Sequence, residues 1–304
     1  MTGWWEPEEG RARSGPWNNY NAAMNLNHLR DWVGRSEERT DLVTAAPVAA
    51  LAATLDRDGI DSRPGADIPP LWHWLYFTPL ARQSDIGADG HAKRGGFLPP
   101  VPLPRRMWAG GRLEFLRPLN VGETIKRVSR IKDVNIKAGR SGTLVFVTVA
   151  HEISSAAGIA IREEHDIVYR ENPGPDTPAL KPQPAATDAT FSREIVPDPV
   201  LLFRYSALTF NGHRIHYDRS YVTQVEGYPG LIVHGPLIAT LLMDLLQRHR
   251  PEALIGSFSF RAVRPLFDIH RFTVCGRADA GRGVALWARD HEGWLAMEAS
   301  ADLR

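Results

Sequence analysis

Residues 203–246 read FRYSALTFNGHRIHYDRSYVTQVEGYPGLIVHGPLIATLLMDLL, and they gather His213, His216 and His234 with Asn211 and Asp218 into one short stretch. Imidazole titrates near neutrality, so a histidine held in a loop can pass a proton in either direction during catalysis. His234-Gly235-Pro236 opens an apolar periodic segment. Proline in the first turn of a helix costs no hydrogen bond, because its missing N–H would have had no intrahelical acceptor. The free amides of that turn, at the positive end of the helix dipole, suit a developing oxyanion beside His216.

Three elements must position these groups. Leu237, Ile238, Leu241, Leu242, Leu245 and Leu246 recur at three- and four-residue intervals, with Pro251 as a stop, which predicts a buried helix. Upstream, Asp198-Pro199 reads as an N-cap followed by a first-turn proline, starting a short helix through Val200, Leu201 and Phe203. Residues 209–218 are then the loop that leaves it, the usual place for catalytic side chains on a rigid scaffold.

The chain has 304 residues, which suggests two domains. Its 36 basic and 35 acidic residues give a net charge of +1, so there is no electrostatic case for a nucleic-acid or membrane-surface partner. The single Cys275 cannot form an internal disulfide; it reads as a small buried hydrophobe in a reducing, cytoplasmic setting. No apolar run is long enough to span a bilayer, and Glu6, Glu8 and Glu9 speak against a secretory or mitochondrial leader.

Residues 171–190 carry Pro173, Pro175, Pro178, Pro182 and Pro184 and read as an extended linker between a first unit, 1–170, and a second, 191–304. Across it Arg117-Pro118-Leu119 recurs as Arg264-Pro265-Leu266, 147 positions later, and β-rich sequence follows both copies. His291-Glu292-Gly293 reads as a hairpin turn. The economical expectation is two α+β units, each a long helix against an antiparallel sheet, with residues 42–55 as the first unit's core helix. The first unit has no counterpart of the histidine loop. It offers instead an aromatic cluster at Trp72, Trp74, Tyr76 and Phe77 and a proline-rich loop over 95–111, containing Arg105, Arg106 and Trp108.

The segments FRYSALTFNGHRIHYD and GYPGLIVHGPLIATLL resemble the MaoC-like, or hydratase 2, branch of the hotdog superfamily. The family hallmark is approximately [FY]-A-x-x-[ST]-G-D-x-N-P-x-H-x-D, followed by A-H-G at the hotdog helix. Tyr205 takes its aromatic position, Thr209 the hydroxyl, Asn211 the catalytic aspartate, His216 the catalytic histidine, Asp218 the last aspartate, and Val233-His234-Gly235 the A-H-G. The first half is similar to the non-catalytic N-terminal hotdog of double-hotdog members, which include mitochondrial 3-hydroxyacyl-thioester dehydratases and bacterial mesaconyl-C4-CoA hydratases. The resemblance runs from about Trp17 to the end of the chain.

It implies a tandem double hotdog that reversibly hydrates an enoyl thioester on CoA or acyl-carrier protein, with no resident cofactor or metal and a homodimer left open. His216 is the expected proton-transfer group and the Gly235 N–H the expected enolate donor. Asn211 departs from the hallmark, since an amide cannot take a proton at neutral pH. His216 must then act alone or recruit His213 or Asp218. Tyr205 and His234 are candidates for shaping the pocket, and Arg105, Arg106 and Trp108 for contacting substrate. A metal on His213, His216 and His234 lacks a fourth ligand at fixed spacing. Hydrolysis would need a carboxylate poised at the thioester, and the central helix offers only Asp244, far from its N-terminus. A degenerate, merely thioester-binding hotdog is the non-enzymatic alternative.

Overall fold

The computed structural model describes residues 26–139, 142–172, 181–279 and 281–304. The N-terminal acidic residues and Pro173, Pro175 and Pro178 lie outside them. The first half contributes β1 (Ser36–Leu42), α1 (Ala45–Thr54), β2 (Arg105–Phe115), β3 (Thr124–Gly139), β4 (Gly142–Ser155) and β5 (Gly158–Arg170). The second contributes β6 (Phe191–Ile195), α2 (Pro199–Leu208), α3 (Arg219–Gln224), α4 (Gly235–His249), β7 (Ile255–Ala262), β8 (Phe272–Ala278), β9 (Gly283–Arg289) and β10 (Leu295–Leu303).

All ten strands form one antiparallel sheet in the order β1-β3-β4-β5-β2-β7-β10-β9-β8-β6. The order reads the same from either end once the halves are matched. The halves meet where β2 pairs with β7, and there Arg112 faces Ser259, 147 positions on. That spacing equals the sequence repeat, so the pair sits on the pseudo-twofold axis. The Arg-Pro-Leu repeat is structural as well. Leu116 N and Arg117 N donate to Ala160 O, as Val263 N and Arg264 N donate to Ala296 O. Ile68 N donates to Leu119 O at 2.9 Å, as Val233 N donates to Leu266 O at 2.9 Å.

The same correspondence corrects the expected first-half helix. Helix α1 is the counterpart of α2: each has ten residues, and each is followed two residues on by a left-handed residue, Asp56 (φ 51°) or Phe210 (φ 51°). The counterpart of α4 is only a 3-10 turn, Trp72–Leu75. A long helix is disfavoured there because Leu71 has φ 72° and Phe77 φ 56°, Pro69, Pro70 and Pro79 bracket the segment, and its aromatic residues are weak helix formers. Among the described residues only the second half therefore carries a long central helix.

Helix α4 is buried on every side from Leu237 to Leu246 and packs on β8, β9, β10 and β6. Asp244, near its C-terminal end, is ion-paired to Arg57 (2.7 Å), Arg193 (3.0 Å) and Arg248 (2.7 Å), while Arg193 and Arg248 also donate to Leu55 O. One carboxylate thus ties α4 to the end of α1 and to β6. Described linker residues are held down too: Ala185 N donates to Gly293 O, and Leu295 N to Gln183 O. Among the described residues no helix is long and apolar enough to cross a membrane.

Candidate active site

The second-half site begins at α2. Asp198 caps the helix by accepting from Leu201 N at 2.8 Å, and after Phe210 the chain turns back over its own end. Asn211 Oδ1 accepts from His213 N at 3.0 Å, which closes the turn and leaves its NH₂ group to face the cavity it lines. A 3-10 turn, Arg214–His216, then lowers His216 into the interior. Asp218 caps α3 through Tyr221 N (3.0 Å) and pairs with Arg214 (2.7 Å). Its carboxyl is held below the usual range by the Tyr221 amide first and by Arg214 second. It does not line the cavity, so its hydrogen bonds are those of a cap.

His216 is 8% exposed. Its Nδ1 donates to Ile232 O at 2.7 Å, which leaves Nε2 as a lone-pair acceptor in the neutral ring. Burial pushes its pKa down to about 4, against the opposing pull of the Ile232 carbonyl. His234, the N-cap residue of α4, is fully buried and stacked on His216 at 3.7 Å and 18°. Its Nε2 is hydrogen-bonded to Ser206 Oγ at 2.8 Å, its Nδ1 has no partner among the described residues, and burial drives its pKa well below that of a free imidazole. An imidazole so enclosed stays neutral, so His234 supports His216 and sets the entry to α4. Tyr205 is buried and lies edge-on to His234 at 5.1 Å, a wall of the same site.

Gly235 lines the cavity as the first residue of α4. Its N–H has no acceptor within the helix. A Cβ there would meet only Trp108 O, at 3.8 Å. The cavity, about 2240 Å³, thus brings His216, Asn211, His213 and the Gly235 amide to one wall.

The opposite wall comes from the first half. Arg105, Arg106 and Trp108 belong to β2 and not to a loop: the proline-rich segment ends at Pro104. Arg105 donates to Tyr228 Oη (2.7 Å), Glu226 O and Asn172 Oδ1, and so clamps the two halves together at the cavity rim. Arg106 lines the cavity. Trp108 lies against His165 at 3.9 Å with the rings tilted by 35°, and meets Trp74 edge-on at 5.0 Å.

Two groups on this wall escaped sequence reading. Glu163 is 4% exposed and accepts from His73 Nε2 (3.0 Å), Trp74 Nε1 (2.8 Å) and His165 Nε2 (2.5 Å). Burial pushes its carboxyl up, but His165 and His73 outweigh that and hold it well below the usual range. His151 and Arg127 also line the cavity beside them. The available signal was the row Ile161, Glu163, His165, Ile167, whose alternation places two ionisable groups on an inward-facing row. The second group is Asp89 and His91, on a hairpin of the first half, and nothing in their local sequence marked them.

Asp89, His91 and His213 bring ligand atoms within 4.8 Å of one another. Asp89 and His91 already hydrogen-bond each other at 2.9 Å, so the group is a carboxylate–imidazole pair with a second imidazole tilted against it at 3.9 Å, and not an open ligand set. Asp244, spent on three arginines, does not line the cavity, which removes the helix carboxylate that hydrolysis would require.

Comparison with known proteins agrees with this architecture. The family profile described as "Hydroxyacyl-thioester dehydratase type 2" matches residues 71–268. The chain is 48% identical over 274 residues to the mesaconyl-C(4)-CoA hydratase of Chloroflexus aurantiacus, covering 90% of this chain and 96% of that protein. It is 28% identical over 269 residues to the mitochondrial hydroxyacyl-thioester dehydratase type 2 of Schizosaccharomyces pombe, covering 77% and 88% respectively. Among solved structures, a MaoC-like dehydratase superposes with a TM-score of 0.68 at 16% identity, covering 91% of this chain and 99% of that one. A Mycobacterium tuberculosis protein described as having a double hotdog fold does so at 0.55 and 13%, covering 90% and 96%. The chain belongs to the hydroxyacyl-thioester dehydratase type 2 family, MaoC-like double-hotdog hydro-lyases that act on acyl thioesters.

Proposed function

We propose that this enzyme adds water to a short, branched enoyl-CoA bearing a second carboxylate, of the mesaconyl-C4-CoA type, with His216 as proton carrier and the Gly235 amide as enolate donor. The carrying observation is that His216 Nε2, the acceptor nitrogen, shares one cavity wall with the free N–H of Gly235. Water oxygen bonds to C3 as His216 Nε2 takes one of its protons. The C=C electron pair moves toward the thioester oxygen, where the Gly235 N–H steadies the charge. His216 then returns the proton to C2, and the enzyme ends as it began.

The acyl group is argued from two sides. Identity of 48% over nearly the whole of the Chloroflexus hydratase favours its substrate type. A cavity floored by Glu163, His165, His151, His73 and Arg127 is a poor solvent for a long alkyl chain and a good one for a polar group. The site supplies the base and the oxyanion donor from protein groups, so the reaction runs without metal or redox cofactor. Residues 1–170 serve as the non-catalytic hotdog and 191–304 as the catalytic one, joined by 171–190. The lone buried Cys275 suits a cytoplasmic enzyme.

The test is a panel of mesaconyl-C4-CoA, crotonyl-CoA and dodecenoyl-CoA, followed by loss of enoyl ultraviolet absorbance and by thiol release. Hydration of the dicarboxylic substrate with the highest kcat/KM and no thiol release is the expected result. A preference for dodecenoyl-CoA would overturn the assignment of the acyl group, and release of free CoA the reaction itself.

A further inference from the structure

The histidine loop carries Asn211 where the family hallmark has an acid, and His216 makes no contact with a carboxylate among the described residues. A proton taken up there creates an imidazolium in a buried site, and the stacked neighbour, His234, is itself neutral. Buried charge of this kind needs a counter-charge.

One is at hand in the other half of the molecule. The segment around Asp89 and His91 is a small hairpin, closed by the bridge Ile86↔Ala92 and by Gly87 N donating to His91 O at 2.7 Å. Asp89 accepts from its partner twice, from His91 N at 3.0 Å and from Nδ1 at 2.9 Å, so His91 is fixed as the Nδ1–H tautomer. The His91 ring lies over His213 at 3.9 Å, and His213 meets His216 edge-on at 5.4 Å and 89°. Other charged groups facing this cluster are Arg106 of β2 and Arg94, both cationic, so Asp89 supplies its negative charge.

The hairpin is docked on the catalytic loop by the backbone itself. Arg214 N donates to Asp89 O at 2.9 Å, and Arg214 Nη1 to Ala88 O at 3.0 Å. Gly90 has φ +89°, and a Cβ on it would fall 1.8 Å from Gly212 O. Contact this close, between two glycines of different halves, fixes where Asp89 sits relative to His213.

We propose that Asp89, acting through His91 and His213, is the positioning carboxylate that replaces the acid missing at Asn211. The half without its own catalytic loop thus supplies the counter-charge for the proton carried by the His213–His216 pair. Asp89 stays ionised throughout and exchanges no proton. Water gives its proton to His216 Nε2 and C2 receives it, as in the hydration above. The inference rests on that reading of His216.

Asp89→Asn isolates the charge, because an amide oxygen can still accept from His91 N and the backbone contacts to Arg214 do not involve the side chain. The expected result is an unchanged thermal midpoint, an unchanged KM, and a kcat lower by at least about tenfold. Adding Asn211→Asp to the Asp89→Asn enzyme returns a carboxylate to the site and should restore most of kcat. A purely structural role for the hairpin would show no such rescue. The proposal is overturned if Asp89→Asn keeps the wild-type kcat, or if the double variant recovers nothing. His216→Ala, assayed in parallel, keeps the two readings separate: a wild-type rate there removes His216 as proton carrier, whereas the Asp89 result bears on His213 and its counter-charge.

Discussion

The rings of His216 and His234 are stacked 3.7 Å apart, and the carbonyl of Ile232, two residues before His234, accepts the Nδ1 proton of His216. A single segment entering α4 therefore orients His216 and begins the helix whose first residue, Gly235, lines the cavity.

Burial leaves His216 neutral down to about pH 4, so it remains a base well below the pH at which a free imidazole protonates. The acid limb of kcat/KM should fall near pH 4 and not near 6.5, and His216→Ala should reduce kcat by about a thousandfold. A pH–rate profile of the wild-type and variant enzymes checks both. Folded-state pKa values of His213, His216 and His234 lie below the unfolded value. The unfolded chain therefore binds protons first, and stability present above about pH 6.5 should be lost as pH falls toward 4. Urea midpoints at pH 7 and pH 5 measure the loss.

Gly235→Pro removes the N–H and sets a ring methylene in its place, at a first helical turn where proline is tolerated and after a residue, His234, already extended at ψ 131°. Loss of a single oxyanion donor costs about a hundredfold or more in kcat. Such a fall is expected here with the fold retained, whereas an unchanged kcat would remove the amide from the mechanism.

Gly90→Ala places a methyl group against Gly212 O in a backbone conformation that alanine avoids. The hairpin must lift from the catalytic loop. Activity should fall by about tenfold or more while far-ultraviolet circular dichroism stays unchanged, because the strands and α4 lie elsewhere.

Asp244→Ala leaves Arg57, Arg193 and Arg248 without their shared partner between α4, α1 and β6. Removing one partner from a buried ionic network typically costs about 3 kcal/mol or more. Chemical denaturation should show that loss. Activity per folded molecule should persist, since Asp244 does not line the cavity.

Much of the second half is determined by local sequence alone. Leucine periodicity, the Asp198 and Pro236 signals and the alternating strands each depend on neighbours a few residues away, and they specify α2, α4 and the strands around them. The 147-residue repeat is likewise written in Arg117-Pro118-Leu119 and Arg264-Pro265-Leu266, and symmetry of backbone hydrogen bonds gives it physical meaning. Residues 42–55 carry a helical pattern, yet whether that helix occupies the core of its sheet or flanks it is a matter of topology. Only the fold makes α1 the partner of α2 and leaves Trp72–Leu75 as the remnant of a central helix. The active site divides in the same way. Asn211, His213, His216 and Gly235 are close in sequence and could be named from it. Asp89 and His91 stand more than 120 positions from His213, and Glu163 is 90 from His73. The first of these meetings depends on the pairing of β2 with β7, which brings the two halves together across one cavity, and the second on how the first half packs against β5; no local pattern encodes contacts that the tertiary fold creates.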